Sequence, residues 1–221
     1  MPQTATIDAI KAYKTELEKD KIIPDKLPNC VRCHLSSVFF KKHAYRERKF
    51  LVIVDMLIKS IFCALLRFRC PGCNKTFTYY PDFSIPHKQF TRPTIEGFSK
   101  KYVDDDDMTY LKSILCGKDG VPGYQGGEKT LSETTVHRWI STFGSYKKIP
   151  QKAQQLILQN NPMTTVHRDI LQLLVPNRKY RTEKRGEILV NCRRLFHIGA
   201  IFKQSFEISI FTKLAINCSF S

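Results

Sequence analysis

RCPGCNKTF, Arg69 to Phe77, answers an earlier CVRC, Cys30 to Cys33, and this pair of short words decides the architecture. Each Cys-x-x-Cys can close a tight turn, a knuckle, that aims two sulfurs at one point. Four thiolates meeting this way make the tetrahedral soft-ligand cage that zinc prefers. In the second knuckle Pro71 sets φ after the first ligand, and Gly72 is expected to accept the backbone angles that turn amides towards sulfur. The interval from Cys33 to Cys70 is longer than the usual two-pair spacing, so the chain between must fold back on itself. One structural Zn²⁺ held by Cys30, Cys33, Cys70 and Cys73 is therefore expected. A redox pair is the competing reading, but neither knuckle opens a βαβ unit.

The remaining candidates are poorer ligands. His34 adjoins Cys33, yet four sulfurs already complete a shell, so it reads as an outer neighbour or an exposed side chain. Cys63, Cys116, Cys192 and Cys218 are unpaired in sequence and read as small buried hydrophobes. No apolar leader opens the chain, and the longest apolar run, Leu51 to Leu66, is interrupted by Asp55 and Lys59, so no membrane span is expected. The eight cysteines are thus assigned to a reducing cytoplasm. Lysine and arginine outnumber the acids by 36 to 20, a net +16, which suits a polyanionic partner. Ribosomal and other RNA-binding proteins share that trait, so charge alone does not choose DNA. One cationic group is Lys41, Lys42, Arg46, Arg48 and Lys49; another runs from Arg178 to Arg194.

Periodicity divides the 221 residues into four regions. Residues 1–23 carry Ile7, Ile10, Tyr13 and Leu17 at helical spacing. Residues 24–92 form the ribbon. Arg48 to Leu57 and Ile61 to Arg69 read as a hairpin around Lys59-Ser60, with Thr76 to Tyr79 as a further strand and a proline-marked linker behind it. Residues 93–148 turn helical from Pro93. There Asp104 to Asp107 reads as a solvated start of a helix over Met108 to Leu115, and 117–129 as a glycine-rich loop. Residues 149–221 suggest helices near Gln151 to Gln159, Val166 to Leu174 and Glu183 to Phe206, the last with Ile188, Cys192, Leu195, Phe196, Gly199 and Phe202 on one face. The fold class is α+β: a small β zinc ribbon followed by an all-α helix-turn-helix-like domain.

TLSETTVHRWISTFG, residues 130–144, is the second informative word. Ser132 suits an N-cap that accepts a free amide near Thr134 or Thr135, and Gly144 suits a helix end. Val136, Trp139, Ile140 and Phe143 form one apolar stripe. Thr134, His137, Arg138 and Ser141 repeat the spacing on another face, with short hydrogen-bonding side chains and one arginine suited to base edges and phosphates in a major groove. An ordinary surface helix anchored by Trp139 is the alternative. Lys41, Lys42, Arg46 and Arg48 are the candidate phosphate contacts. A near repeat, TTVHRDI at Thr164 to Ile170, lacks the tryptophan and reads as coincidence.

Together, the Cys30/Cys33 knuckle, the word HAYRER (His43 to Arg48) and RCPGCNKTFTYYPDF (Arg69 to Phe83) resemble bacterial transposase-associated zinc-ribbon proteins. In that family the ribbon precedes a helix-turn-helix like Leu131 to Phe143. The resemblance spans roughly Cys30 to Phe143 and implies DNA binding in or near transposition. A transposase nuclease core, whose carboxylates converge on two metal ions, is not legible, since few acids follow Phe143. The expectation is a non-enzymatic DNA-recognition protein that works alone or beside a catalytic transposase subunit. A basic RNA-binding or ribosome-associated zinc protein is the alternative.

Overall fold

Two hydrophobic cores are joined by a hairpin more than twice the usual strand length. In the computed structural model, which describes residues 3–54, 57–116, 131–165 and 179–214, β1 (Lys41–Val54) pairs antiparallel with β2 (Leu57–Arg69). β3 (Thr76–Thr78) adds to β2, giving a three-stranded sheet in the order β1-β2-β3. With several helices beside it, the chain is mixed α+β.

The hairpin closes with Val54 opposite Leu57, so the turn expected at Lys59-Ser60 is corrected: these residues lie inside β2, opposite Val52 and Leu51. Lys-Ser offers no special turn conformation, whereas the observed register sets Ile53 directly against Ile58 on one face. Ile53 is 1% exposed in the helical core and Ile58 packs against that core. A slip of one residue would turn both away. At the other end β1 begins at Lys41, well before Arg48, and bulges between Lys42 and Ala44.

The first core lies against the ribbon. Helix α1 (Gln3–Glu18) buries Ile10 and Tyr13 on the sheet, as its spacing predicts. The Tyr13 hydroxyl accepts the Leu66 amide at 3.2 Å, and its ring stacks on Tyr79. Phe40 stacks on Phe77 at 4.8 Å, at the end of the sheet that leads to Cys70. The segment after β3 is no free linker: Leu51 donates its amide to Gln89 O at 2.9 Å, and Thr91 donates to Leu51 O.

The second core is helical: α2 (Arg92–Asp104), α3 (Tyr110–Cys116), α4 (Glu133–Gly144), α5 (Lys148–Asn160), α6 (Glu183–Phe206) and α7 (Ile210–Leu214). The described residues of 93–148 and of 149–221 share it, because Val136, Ile140 and Phe143 of α4 meet Leu189, Cys192 and Phe196 of α6 in one cluster. Helices α5, α6 and α7 are thus part of the same core. Helix α6 buries Gly186, Leu189, Ile198 and Phe202 as well, with Ile188 and Gly199 only half-buried, so its expected single stripe is broader than the sequence pattern. A helix surrounded by neighbours buries more than one face.

Gly144 is needed where the helices cross. A Cβ there would lie 2.2 Å from the Ile188 carbonyl oxygen, so the glycine permits close approach; the cap itself is Ser145 in a right-handed conformation. The acidic run is also corrected. Asp104 ends α2 and Asp105 is its C-cap, instead of opening the next helix. The arrangement holds because cations stand over that C-terminus: Lys101 pairs with Asp105, Arg193 with Asp104, and the Lys179 ammonium donates to the carbonyls of Tyr102 and Asp105. The glycine-rich loop, the helix expected over Val166 to Leu174 and most of the TTVHRDI repeat lie outside the described residues.

Candidate metal centre and nucleic-acid interface

The two knuckles are built alike. Cys30 donates its amide to Leu35 O and accepts from His34 N; Cys70 donates to Lys75 O and accepts from Asn74 N, all at 2.9 Å. His34 and Asn74 both adopt left-handed φ, 59° and 61°, at equivalent positions. His34 is therefore a turn residue of the first knuckle, matched by the asparagine that commonly takes this conformation. Gly72 has a different task from the one its sequence suggests. Its φ is not left-handed, and a Cβ on it would lie 3.3 Å from Cys33 Sγ and 3.9 Å from Cys70 Sγ. Glycine spares Cys33 Sγ that tight contact as the second turn approaches it.

The four sulfurs lie within 4.8 Å of one another, with Cys30 3.4 Å from Cys73 and Cys33 3.5 Å from Cys70. A tetrahedron with metal–sulfur bonds of about 2.3 Å has edges of about 3.8 Å, so the cluster can hold one metal ion. Cys30 and Cys70 are buried, Cys73 is half-buried and Cys33 is exposed. Burial acts to raise Cys30, but backbone hydrogen bonds from Cys33 and Arg32, together with the Cys73 and Cys33 thiols, hold it down to about 6. Cys33 is pushed up to about 12, the Leu35 backbone bond being outweighed by burial and by bonds to the other three thiols. A bound cation would favour four thiolates together. Cys63 and Cys192 are buried and free, as small hydrophobes, and burial raises both thiols.

Helix α4 carries the second group of candidates. Val136, Trp139, Ile140 and Phe143 are all buried, as the stripe predicts. Trp139 meets Phe90 edge-on at 5.1 Å, and Phe90 bridges to Leu51 of β1, so the helix is tied to the hairpin. Thr134, His137 and Arg138 are exposed. The Ser132 hydroxyl bonds the hydroxyls of Thr134 and Thr135 and caps no amide, which corrects the expected cap. Ser141 is half-buried and occupied: it donates to His137 O and accepts from Arg185 of α6 at 2.8 Å. The same guanidinium donates to the Tyr110 hydroxyl, and Tyr110 meets the His137 ring at 5.6 Å. Burial and then the Arg185 charge lower the His137 pKa. Arg185 and Lys88, whose ammonium donates to the Thr142 hydroxyl at 3.3 Å, are the neighbours of this face that local reading misses. Arg185 was visible only as one member of a C-terminal basic cluster, with no signal linking it to α4.

The ribbon cations separate into two kinds. Lys41 and Arg46 are exposed. Lys42, also exposed, is ion-paired with Asp20. Arg48 is committed to the fold: it donates to the carbonyls of Ile85 and Lys88, and it lies over the rings of Phe50 and Tyr80. No helix among the described residues is long and apolar enough to cross a membrane. No family model, curated protein or solved structure matches the chain.

Proposed function

We propose that this chain is a zinc-stapled DNA-binding protein, related to the transposase-associated zinc-ribbon proteins its sequence resembles, that reads duplex DNA with α4 and has no nuclease core of its own. Zinc is the metal that best suits four thiolates in a tetrahedral cage. Its role is structural, since four sulfurs leave no open position for a substrate. The observation that carries the DNA reading is the two-sidedness of α4. Its apolar stripe is wholly buried, while Thr134, His137 and Arg138 remain exposed on a chain of net charge +16. A helix fixed from behind and polar in front suits a major groove, and Arg138 can pair bidentately with guanine. Lys41 and Arg46 supply phosphate contacts, which add affinity without sequence information. The reaction centre of any transposition would then belong to a separate catalytic subunit.

Selection of bound duplexes from random DNA, with structured RNA as competitor, tests this reading. A preferred site is expected, and Arg138→Ala should weaken it by about 1–3 kcal/mol and blur one position. Lys41→Ala should weaken all sequences alike and flatten the salt dependence. Preference for the RNA competitor would replace the DNA reading. Magnesium-dependent cleavage by the protein alone, lost when Asp104 to Asp107 become asparagine, would replace the non-enzymatic one.

A further inference from the structure

A cleft of about 410 Å³ lies between α2 and α6, a volume within the range of small-molecule sites. The two helices run antiparallel along it, with Asp104 of α2 paired to Arg193 of α6 beyond one end. At that end the Lys100 ammonium stands 5.9 Å over the Phe196 ring. At the other end Asp82 holds both helices: its carbonyl accepts from the Arg92 guanidinium and its carboxylate pairs with the Lys203 ammonium. Eight residues of helix separate Arg92 from Lys100, a rise of about 12 Å. Gly97, Gly199 and Ala200 line the stretch between.

Close packing does not explain the glycine of α6. Gly144 has no space for a Cβ, whereas a Cβ on Gly199 would meet only Ile210 Cγ2 at 3.7 Å, an ordinary contact. Glycine weakens a helix interior relative to alanine, so Gly199 leaves room in the cleft at a cost to α6. The charges are as informative as the shape. Arg92 is paired with Glu96 at 3.1 Å and Lys203 with Asp82 at 2.5 Å, so both cations are answered within the protein. Lys100 is the ion lining the cleft that has no acidic partner among the described residues. A ring contact near 6 Å is a weak hold on an ammonium, which keeps its charge available to an anion.

We propose that the cleft between α2 and α6 binds a small carboxylate with a flat apolar body. The carboxylate pairs with Lys100, one charge against one charge. The body lies along Gly97, Gly199 and Ala200, which have no long side chain to hold it off. A neutral ligand would leave Lys100 unanswered, and a carboxylate without the apolar body would gain only an exposed ion pair, which is weak. This site goes beyond the DNA reading and does not depend on it.

The test uses the full chain loaded with zinc and titrates naphthoate, the isosteric naphthamide and naphthyl phosphate by calorimetry, with amide chemical shifts locating each ligand. Naphthoate is expected to bind more tightly than naphthamide and to shift amides of α2 and α6. Ala200→Leu fills the cleft from an exposed helix position and is expected to weaken naphthoate about tenfold. Lys100→Met is expected to weaken naphthoate about threefold and to leave naphthamide unchanged, while Lys100→Arg retains naphthoate binding. A native amide spectrum in each variant certifies the fold. Wild-type protein that does not bind naphthoate overturns the proposal, as does undiminished affinity in Ala200→Leu. Equal loss of acid and amide in Lys100→Met, or loss of neither, overturns the pairing of Lys100 with an anion. Tighter binding of naphthyl phosphate than of naphthoate overturns the assignment to a carboxylate. Duplex affinity enters none of these outcomes, so the DNA reading stands or falls separately.

Discussion

The two cores of this protein differ in size and in what stands beside them. Among the described residues the helical core gathers twenty-four buried hydrophobic residues from α2 to α7 and the hairpin tip, with Phe143 touching Phe196, Tyr146 and Phe211 at its centre. The ribbon core has fifteen, and two of these are the prospective metal ligands Cys30 and Cys70. A core that small, stretched along a narrow sheet, has less apolar surface to set against the entropy of ordering its loops. A metal ion held by Cys30, Cys33, Cys70 and Cys73 would tie the two knuckles together beside the sheet. The helical half has the larger core, and its cost of error lies in side-chain shape.

The largest effect should come from the metal. Replacing Cys70 with serine is expected to abolish the single bound zinc and to erase hydrogen-exchange protection from residue 30 to 83, while α4 and α6 stay protected. Structural zinc in small domains contributes on the order of 10–16 kcal/mol at neutral pH. Metal analysis together with exchange mass spectrometry checks it. Full retention of zinc, or simultaneous collapse of α6, would break the distinction between the halves.

Trp139→Ala should come next, at about 3–5 kcal/mol by denaturant unfolding, because the ring fills the junction between α4 and Phe90. Zinc stoichiometry should remain one. A loss of both zinc and helix would show the halves to unfold as one unit. Gly144→Ala should cost about 1–3 kcal/mol, since its Cβ has no space beside Ile188 unless α4 and α6 part. Lost metal in this variant would make the packing argument untenable.

The smallest effect is electrostatic. Burial and Arg185 hold His137 below its ordinary pKa, so the folded protein prefers the neutral ring. Its stabilising contribution is present above about pH 6.5 and is lost as pH falls below that value, where the unfolded chain takes up the proton more readily. Wild-type protein should therefore lose more melting temperature between pH 7.5 and 5.5 than His137→Gln does. Identical pH profiles would leave the ring outside any such interaction.

Several features were legible in the sequence because they are local. Both knuckles, the α1 stripe, the α4 stripe and the α+β class follow from residue spacing, since ligand geometry and helical periodicity act over a few positions. The four cysteines are brought together as their spacing suggests, with their S–S distances set by two matching turns. Tertiary packing decided the rest. The hairpin register turned on the pairing of Ile53 with Ile58, which matters only once a helical core stands beneath the tip. The acidic run belongs to the end of α2 because Lys179 and Arg193, far along the chain, stand over that terminus. Ser141 is drawn away from the exposed face of α4 by Arg185, from a helix that shares its core. In each case the determining partner is distant in sequence, and only folding brings its charge or volume to bear.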